Sequence, residues 1–245
     1  MPIKKEVHHW YSHRIGGNMP IAVYGHYGFP LLMFPTAAAD FEEYERFHLI
    51  SVMRPWIEAG KVKVYSIDSV NSHTWMNTRI HPAERARKHE FYDAYVCKEV
   101  VPFIWNHQGH RGGIITTGAS MGAYHAMNFL LRHPDLFDGT IAMSGAYDLS
   151  PWTDGYMDEA VYFNSPMAYM PNLHDPWYIE QLRAKKHIHI LTGQGAYEAP
   201  GQSARMARDL WAKGIPANLD MWGHDMRHDW PTWRAMMPLY LEHAF

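Results

Sequence analysis

The pentapeptide Gly118-Ala119-Ser120-Met121-Gly122 is the stretch of this sequence best equipped for chemistry. A serine that attacks an acyl carbon needs an exposed hydroxyl, a base within reach, and donors for the oxyanion it creates. Glycines on either side of the Ser120 step let the chain turn sharply from strand to helix, lifting the hydroxyl off the end of a sheet. The flanking sequence supplies both elements. Gly112–Thr117 (GGIITT) is a short apolar run, and the stretch to about Arg132 has a helical pattern closed by His133-Pro134. The Met121 amide would then sit at the helix amino end, aimed at the developing charge. The competing reading is that Ser120 is an ordinary helix N-cap, and the strand before it favours the elbow.

An elbow of this kind is followed along the chain by an acid and then a histidine. His224 and His228 share the loop Trp222–Trp230 before a final helix that begins near Pro231, and position alone does not separate them. Glu198 is the carboxylate in the loop that follows the strand His187–Leu191, and it could orient an imidazole; a solvated loop glutamate is the plainer alternative. A second oxyanion donor is expected from Pro35–Asp40, where small residues let the Thr36 or Ala37 amide approach the reacting carbonyl. The same segment also reads as a helix start capped by Thr36 or Asp40.

The elements that must carry these groups alternate between short apolar runs and longer amphipathic stretches, which predicts an α/β fold with a mainly parallel central sheet. Glu6–Arg14 and Met19–Tyr24 read as an opening hairpin turned by Gly16, Gly17 and Asn18. Phe29–Phe34 and Val62–Ile67 read as strands, the second leading to a polar loop with Asn71, Ser72, His73 and Trp75. A helix is predicted over about Pro82–Trp105, with Phe91, Tyr92, Tyr95 and Val96 on its apolar face. Gly139–Ser144, His187–Leu191 and Ala217–Trp222 complete the strands, and Gln202–Lys213 is a helix ended by Gly214 and Pro216. Residues 149–183, rich in Pro, Asp and aromatics, read as an excursion over the site within one domain spanning 1–245. Trp75, Trp152, Tyr156, Tyr162 and Trp177 could roof the site or simply pack against the sheet.

Composition narrows the partners. With 22 basic and 25 acidic residues and a net charge of -3, the chain lacks the electrostatic footprint of a nucleic-acid or anionic-membrane binder. No apolar run approaches a membrane span, and Met1–Trp10 has no apolar stretch of signal-peptide length, so a cytoplasmic protein is expected. Cys97 is the sole cysteine, which excludes an internal disulfide and a cysteine metal cluster. Among 18 histidines, the pairs His8-His9, His187/His189 and His224/His228 have metal-like spacing that chance alone can produce. The sequence leaves self-association open.

The chain resembles the esterase family of α/β-hydrolases that includes S-formylglutathione hydrolase (esterase D), feruloyl esterases and the antigen 85 mycolyltransferases. Four stretches carry the likeness: Gly118–Gly122 with its helix, His133–Tyr147 (HPDLFDGTIAMSGAY), Lys213–Trp222 (KGIPANLDMW), and His228-Asp229-Trp230-Pro231 followed by Trp233. Together they extend from about Pro30 to the carboxyl terminus. The resemblance implies the α/β-hydrolase fold and a serine–acid–histidine triad, with the family's final His-Asp-Trp pattern falling on His228 and not His224. The family's acid comes soon after the seventh strand, where this chain has Gln194, Gly195 and Ala196 before Glu198. A glutamate serves in part of the family, so the implied triad is Ser120, His228 and Glu198. The implied activity is carboxylic ester hydrolysis through an acyl-enzyme, with a small-molecule ester as partner and no cofactor or metal. An acyltransferase with the same triad, or a non-catalytic binding protein on this fold, are the alternatives.

Overall fold

The computed structural model describes residues 3–244, so Met1, Pro2 and Phe245, at the ends of the 1–245 span, lie outside the described residues. Eight strands form one sheet in the order β1-β2-β4-β3-β5-β6-β7-β8. They are β1 (Lys5–Ser12), β2 (Gly17–Tyr24), β3 (Phe29–Phe34), β4 (Val62–Ile67), β5 (Ile114–Ala119), β6 (Phe137–Met143), β7 (His187–Thr192) and β8 (Asn218–Met221). The β1–β2 and β2–β4 pairs are antiparallel, and every pair from β4 to β8 is parallel.

Parallel strands covered on both faces read as unbroken apolar runs, which is why FPLLMF and VKVYSI delimit β3 and β4 so sharply. Alternate β3 side chains enter opposite cores: Leu32 and Phe34 join one cluster with Tyr65, Tyr92 and Phe129, while Leu31 and Met33 join another with Val64, Ile141 and Met237. Pro30 is tolerated because β3 begins to pair with β5 only at Leu31.

Three short helices, α1 (Glu43–Arg46), α2 (Leu49–Val52) and α3 (Arg54–Glu58), lie between β3 and β4. The helix expected over Pro82–Trp105 is instead α4 (Pro82–Tyr95), a π-helical turn (Val96–Val100) and α5 (Val101–Gln108), ended by Gly109 at φ 77°. Its buried face runs through Arg85, His89, Tyr92 and Val96, so Phe91, about 100° around from Tyr92, is 50% exposed and not part of the core. Helix α6 (Met121–Arg132) follows β5. Residues between β6 and β7 form α7 (Ser150–Thr153), α8 (Glu159–Tyr162), α9 (Pro166–Tyr169), a 3₁₀ turn and α10 (Pro176–Arg183). Helices α11 (Pro200–Ala212) and α12 (Trp230–Ala244) flank β8.

β3 lies between β4 and β5, so the loops leaving β3 and β5 diverge and open a crevice at the carboxyl ends of the strands. The sequence-predicted chemistry gathers at this crevice. Among the described residues no helix is long and apolar enough to cross a membrane.

Candidate active site

Ser120 occupies the bend between β5 and α6 at φ 56° and ψ -121°. It stands in the N-cap position, yet its hydroxyl makes no bond to the helix. Instead Oγ lies 2.9 Å from Nε2 of His228, 108 positions further along the chain. The bend is tight enough to require both glycines. A Cβ on Gly118 would lie 2.4 Å from the Gly122 carbonyl carbon, and one on Gly122 would lie 2.2 Å from the Phe34 carbonyl oxygen. The buried Tyr44 hydroxyl secures the elbow from below, donating to the Phe34 carbonyl at 2.7 Å and accepting the Ala119 amide at 2.9 Å. Met121 opens α6, so its amide is one of the first-turn donors that the helix itself cannot satisfy.

His228 is delivered by a loop sewn to the one that carries Glu198. The His228 amide donates to the Ala196 carbonyl at 3.0 Å, and the Gly195 amide donates to the Met226 carbonyl at 2.8 Å. Gly193 and Gly195 permit this contact, because a Cβ on either would fall 2.1 or 2.6 Å from the Met226 oxygen. The glycines of this loop are thus what lets the two loops approach. Gln194 adds a side-chain bond to the Trp222 carbonyl at 2.8 Å. His224 is exposed on the same loop, and its ring takes no part in the contact with Ser120.

Glu198 Oε2 lies 3.5 Å from His228 Nδ1, at the long end of hydrogen-bond range. Its side chain is 1% exposed, against 25% for His228, which is not the situation of a solvated loop glutamate. Burial pushes its pKa up, but bonds from His228 and from the Ser144 hydroxyl outweigh that and hold it below the usual glutamate value. Ser144 Oγ donates to Oε1 at 2.7 Å and accepts the Trp233 indole N–H at 3.0 Å. Trp233 also meets the His228 ring edge-on, with centroids 5.1 Å apart. Sequence reasoning assigned no role to Ser144 or Trp233. The only signal was their membership in the two stretches that carry the family likeness.

The two donors expected from Pro35–Asp40 part company in the structure. The Thr36 amide donates to Glu43 Oε2 at 2.8 Å and its hydroxyl to Oε1 at 2.6 Å, so that amide already has an acceptor. Glu43 is 6% exposed, and burial raises its pKa despite the two Thr36 bonds. Ala37 follows at φ 37°, a left-handed conformation unusual for a residue with a Cβ. Asp40 also serves as a local cap, its carboxylate accepting the Glu42 amide at 2.9 Å.

Of the aromatics considered as a roof, Trp75 is fully buried in a cluster with Met121, Tyr124 and Leu149, and Trp152 and Tyr156 pack against it. Tyr162 instead lines a cavity with His133, Tyr169 and Tyr178 around the carboxyl end of α6, and Trp177 is 47% exposed on α10. Among the described residues, the His/Cys/Asp/Glu groupings close enough to share an ion are Glu6–His8–His107 and Asp93–Cys97–His133. Both are knit by direct bonds, His107 to Glu6 at 3.1 Å and His133 to Asp93 at 2.9 Å, and neither includes His224 or His228.

The chain's residues 12–243 match the profile of the Esterase family, described as "Putative esterase". No curated protein sequence matches the chain. Solved structures similar to it include a ferulic acid esterase (17% identity, 99% of each chain covered, TM-score 0.74). An S-formylglutathione hydrolase from Agrobacterium tumefaciens is similar at 14% identity, 97% of this chain and 94% of that one, with a TM-score of 0.70. The fluorophosphonate-binding serine hydrolase F of Staphylococcus aureus is similar at 18% identity, 99% and 98% coverage, with a TM-score of 0.67. These likenesses fix the α/β-hydrolase fold. With a family match across nearly the whole chain, this protein belongs to the Esterase family and is a serine esterase of the α/β-hydrolase fold.

Proposed function

We propose that the chain hydrolyses carboxylic esters through an acyl-enzyme on Ser120, with His228 as general base and acid and Glu198 as the orienting carboxylate. The 2.9 Å contact between Ser120 Oγ and His228 Nε2 carries this reading. His228 takes the hydroxyl proton as Oγ attacks the ester carbonyl carbon, forming a C–O bond and a tetrahedral oxyanion. Amides of Met121 and Ala37 receive that charge; Ala37 is preferred because Thr36 donates its amide to Glu43. His228 then returns the proton to the leaving alkoxide as the original ester C–O bond breaks. Water attacks the acyl-serine, giving its proton to His228, and the carboxylic acid departs as Ser120 is regenerated. Glu198 keeps a proton on Nδ1 so that the Nε2 lone pair faces Ser120, and it stabilises the imidazolium formed in each half-reaction.

Transfer of the acyl group to another alcohol would use the same groups, with the alcohol replacing water in the second step. Turnover of p-nitrophenyl acetate, with and without added alcohols, tests both. Ser120→Ala should abolish turnover and labelling by a fluorophosphonate probe while leaving the circular dichroism spectrum unchanged. Undiminished turnover in that variant would remove the assignment.

A further inference from the structure

The polar loop after β4 carries a side chain that reaches the oxyanion loop. Asn71 is fully buried, and its Nδ2 donates to the Ala37 carbonyl oxygen. Its Oδ1 lies 2.8 Å from Nε2 of His125, which stands on α6 five positions after Ser120. A carbonyl can only accept, so the bond to Ala37 fixes which end of the Asn71 amide is which. Oδ1 must then accept, and His125 must carry its proton on Nε2. Burial and the neighbouring His89 hold the His125 ring neutral. Nδ1 of that ring has no hydrogen-bond partner among the described residues, so Asn71 is the group to which the ring is tied.

The Ala37 peptide unit is constrained from several sides. The Thr36 carbonyl accepts the Ala39 amide at 3.0 Å, closing a turn. In a trans peptide the carbonyl and the following N–H point in opposite directions, so the Ala37 N–H faces away from the interior of that turn. Glu43 grips Thr36 through both its amide and its hydroxyl. At φ 37° Ala37 bears roughly 1–2 kcal/mol of steric cost that a glycine would not. Left alone, the unit would relax toward negative φ and swing its N–H away. The bond from Asn71 to the Ala37 carbonyl opposes that relaxation.

We infer that Asn71, steadied by His125, is a positioning residue that keeps the Ala37 amide presented to the oxyanion. This rests on the proposed role of Ala37 as an oxyanion donor. Neither side chain touches the substrate; both act through the backbone of the oxyanion loop. An oxyanion donor works chiefly in the transition state, so its misplacement lowers kcat and leaves KM nearly unchanged. Removing a donor outright costs about 10²- to 10³-fold in kcat; loosening one by losing its support should cost about 10- to 100-fold.

The experiment compares Asn71→Ala, Asn71→Asp and Ala37→Gly/Asn71→Ala with the unaltered protein on p-nitrophenyl acetate. Inhibition by a trifluoromethyl ketone, whose Ser120 adduct carries an oxyanion, is measured alongside. Both single variants should lose about 10- to 100-fold in kcat with KM within threefold, and ketone affinity should fall in parallel. In the double variant the loss should shrink, because glycine adopts positive φ without strain. Should Asn71→Ala fold poorly, the near-isosteric Asn71→Asp, which keeps an acceptor for His125 and loses the amide donor to Ala37, decides the matter. A kcat within threefold of normal in folded variants would overturn the inference, as would equal losses in kcat with and without Ala37→Gly. Ser120→Ala run in parallel keeps the readings apart: activity surviving there defeats the proposed mechanism itself, whereas a dead Ser120→Ala with fully active Asn71 variants defeats only the role of Asn71.

Discussion

Replacing Glu198 with glutamine should do far more harm than loss of one charge at an outlying position. Ser144 Oγ accepts the Trp233 indole proton, so its own hydrogen points to Glu198 Oε1 at 2.7 Å. In Glu198→Gln that hydrogen selects the carbonyl end of the new amide, which turns the NH₂ toward His228 Nδ1. An NH₂ is a donor, so it favours the tautomer with the proton on Nε2, where the lone pair is needed to take the Ser120 proton. Loss of a charge-assisted bond is worth about 1.5–3 kcal/mol, and breaking the wrong-tautomer arrangement adds about 1–3 kcal/mol. The sum is about 2.5–6 kcal/mol, or ~10²- to 10⁴-fold in kcat/KM. The assay is steady-state hydrolysis of p-nitrophenyl acetate at fixed pH, with urea unfolding to confirm that the isosteric change leaves the fold in place. The 3.5 Å separation of Oε2 from Nδ1 makes this a sharp test. Activity within threefold of normal in a folded Glu198→Gln variant would falsify the assignment of Glu198 and the tautomer argument together.

Two further predictions concern stability. Gly122→Ala places a Cβ 2.2 Å from the Phe34 carbonyl oxygen, a backbone atom that cannot step aside. It should lower unfolding free energy by about 1–3 kcal/mol or more and depress activity, read from the urea midpoint and kcat; an unchanged midpoint would mean that the elbow is looser than its geometry implies. His89 is fully buried, with both ring nitrogens unpartnered among the described residues and a pKa pushed down to about 4 by burial. Its native state binds fewer protons than the unfolded chain, so its stabilising contribution is whole above about pH 6.5 and drains away as pH falls toward 4. The loss at pH 5 is about 2 kcal/mol. His89→Phe should therefore flatten the fall in melting temperature between pH 7 and 5, and an unaltered slope would show that His89 does not titrate as its burial demands.

What the sequence disclosed depended on how local each determinant is. The elbow is legible because Gly118, Ser120 and Gly122 interact within one turn, and the bounds of β3 and β4 follow from uninterrupted apolar runs. His228 needed the family pattern, since His224 has the same residue type in the same loop. By position alone Glu198 reads equally as an orienting acid or a solvated loop glutamate, because its grip comes from Ser144, 54 positions away. Thr36 and Ala37 could not be separated without knowing that the Glu43 side chain folds back seven positions onto the Thr36 amide. Phe91 was misplaced because a 3.6-residue period admits two adjacent faces, and only packing against the sheet chooses the one through Tyr92 and Val96.

Backbone strain follows the same distribution as the chemistry. Among the described residues, the non-glycine positions at positive φ are Ala37, His48, Ser120, Ser144, Asp154 and Tyr197. Four of them, Ala37, Ser120, Ser144 and Tyr197, lie in the loops that leave β3, β5, β6 and β7 at the crevice. At about 1–3 kcal/mol each, this strain is comparable with the whole net stability of a typical domain, so it persists only because neighbours enforce it. The sheet does part of this directly. The Ser120 amide donates to the Met143 carbonyl at 2.9 Å and the Ser144 amide to the Leu191 carbonyl at 2.7 Å, each extending the parallel ladder one step beyond its strand. Both bends are thus clamped by carbonyls at the carboxyl end of the adjacent strand, and two hydroxyls are presented at adjoining strand ends, one to His228 and one to Glu198. Among the described residues Ala37 has no such ladder bond, because it lies three positions beyond the end of β3, whereas Ser120 and Ser144 follow their strands directly. A side chain must supply what the sheet cannot, and Asn71 is placed to do it.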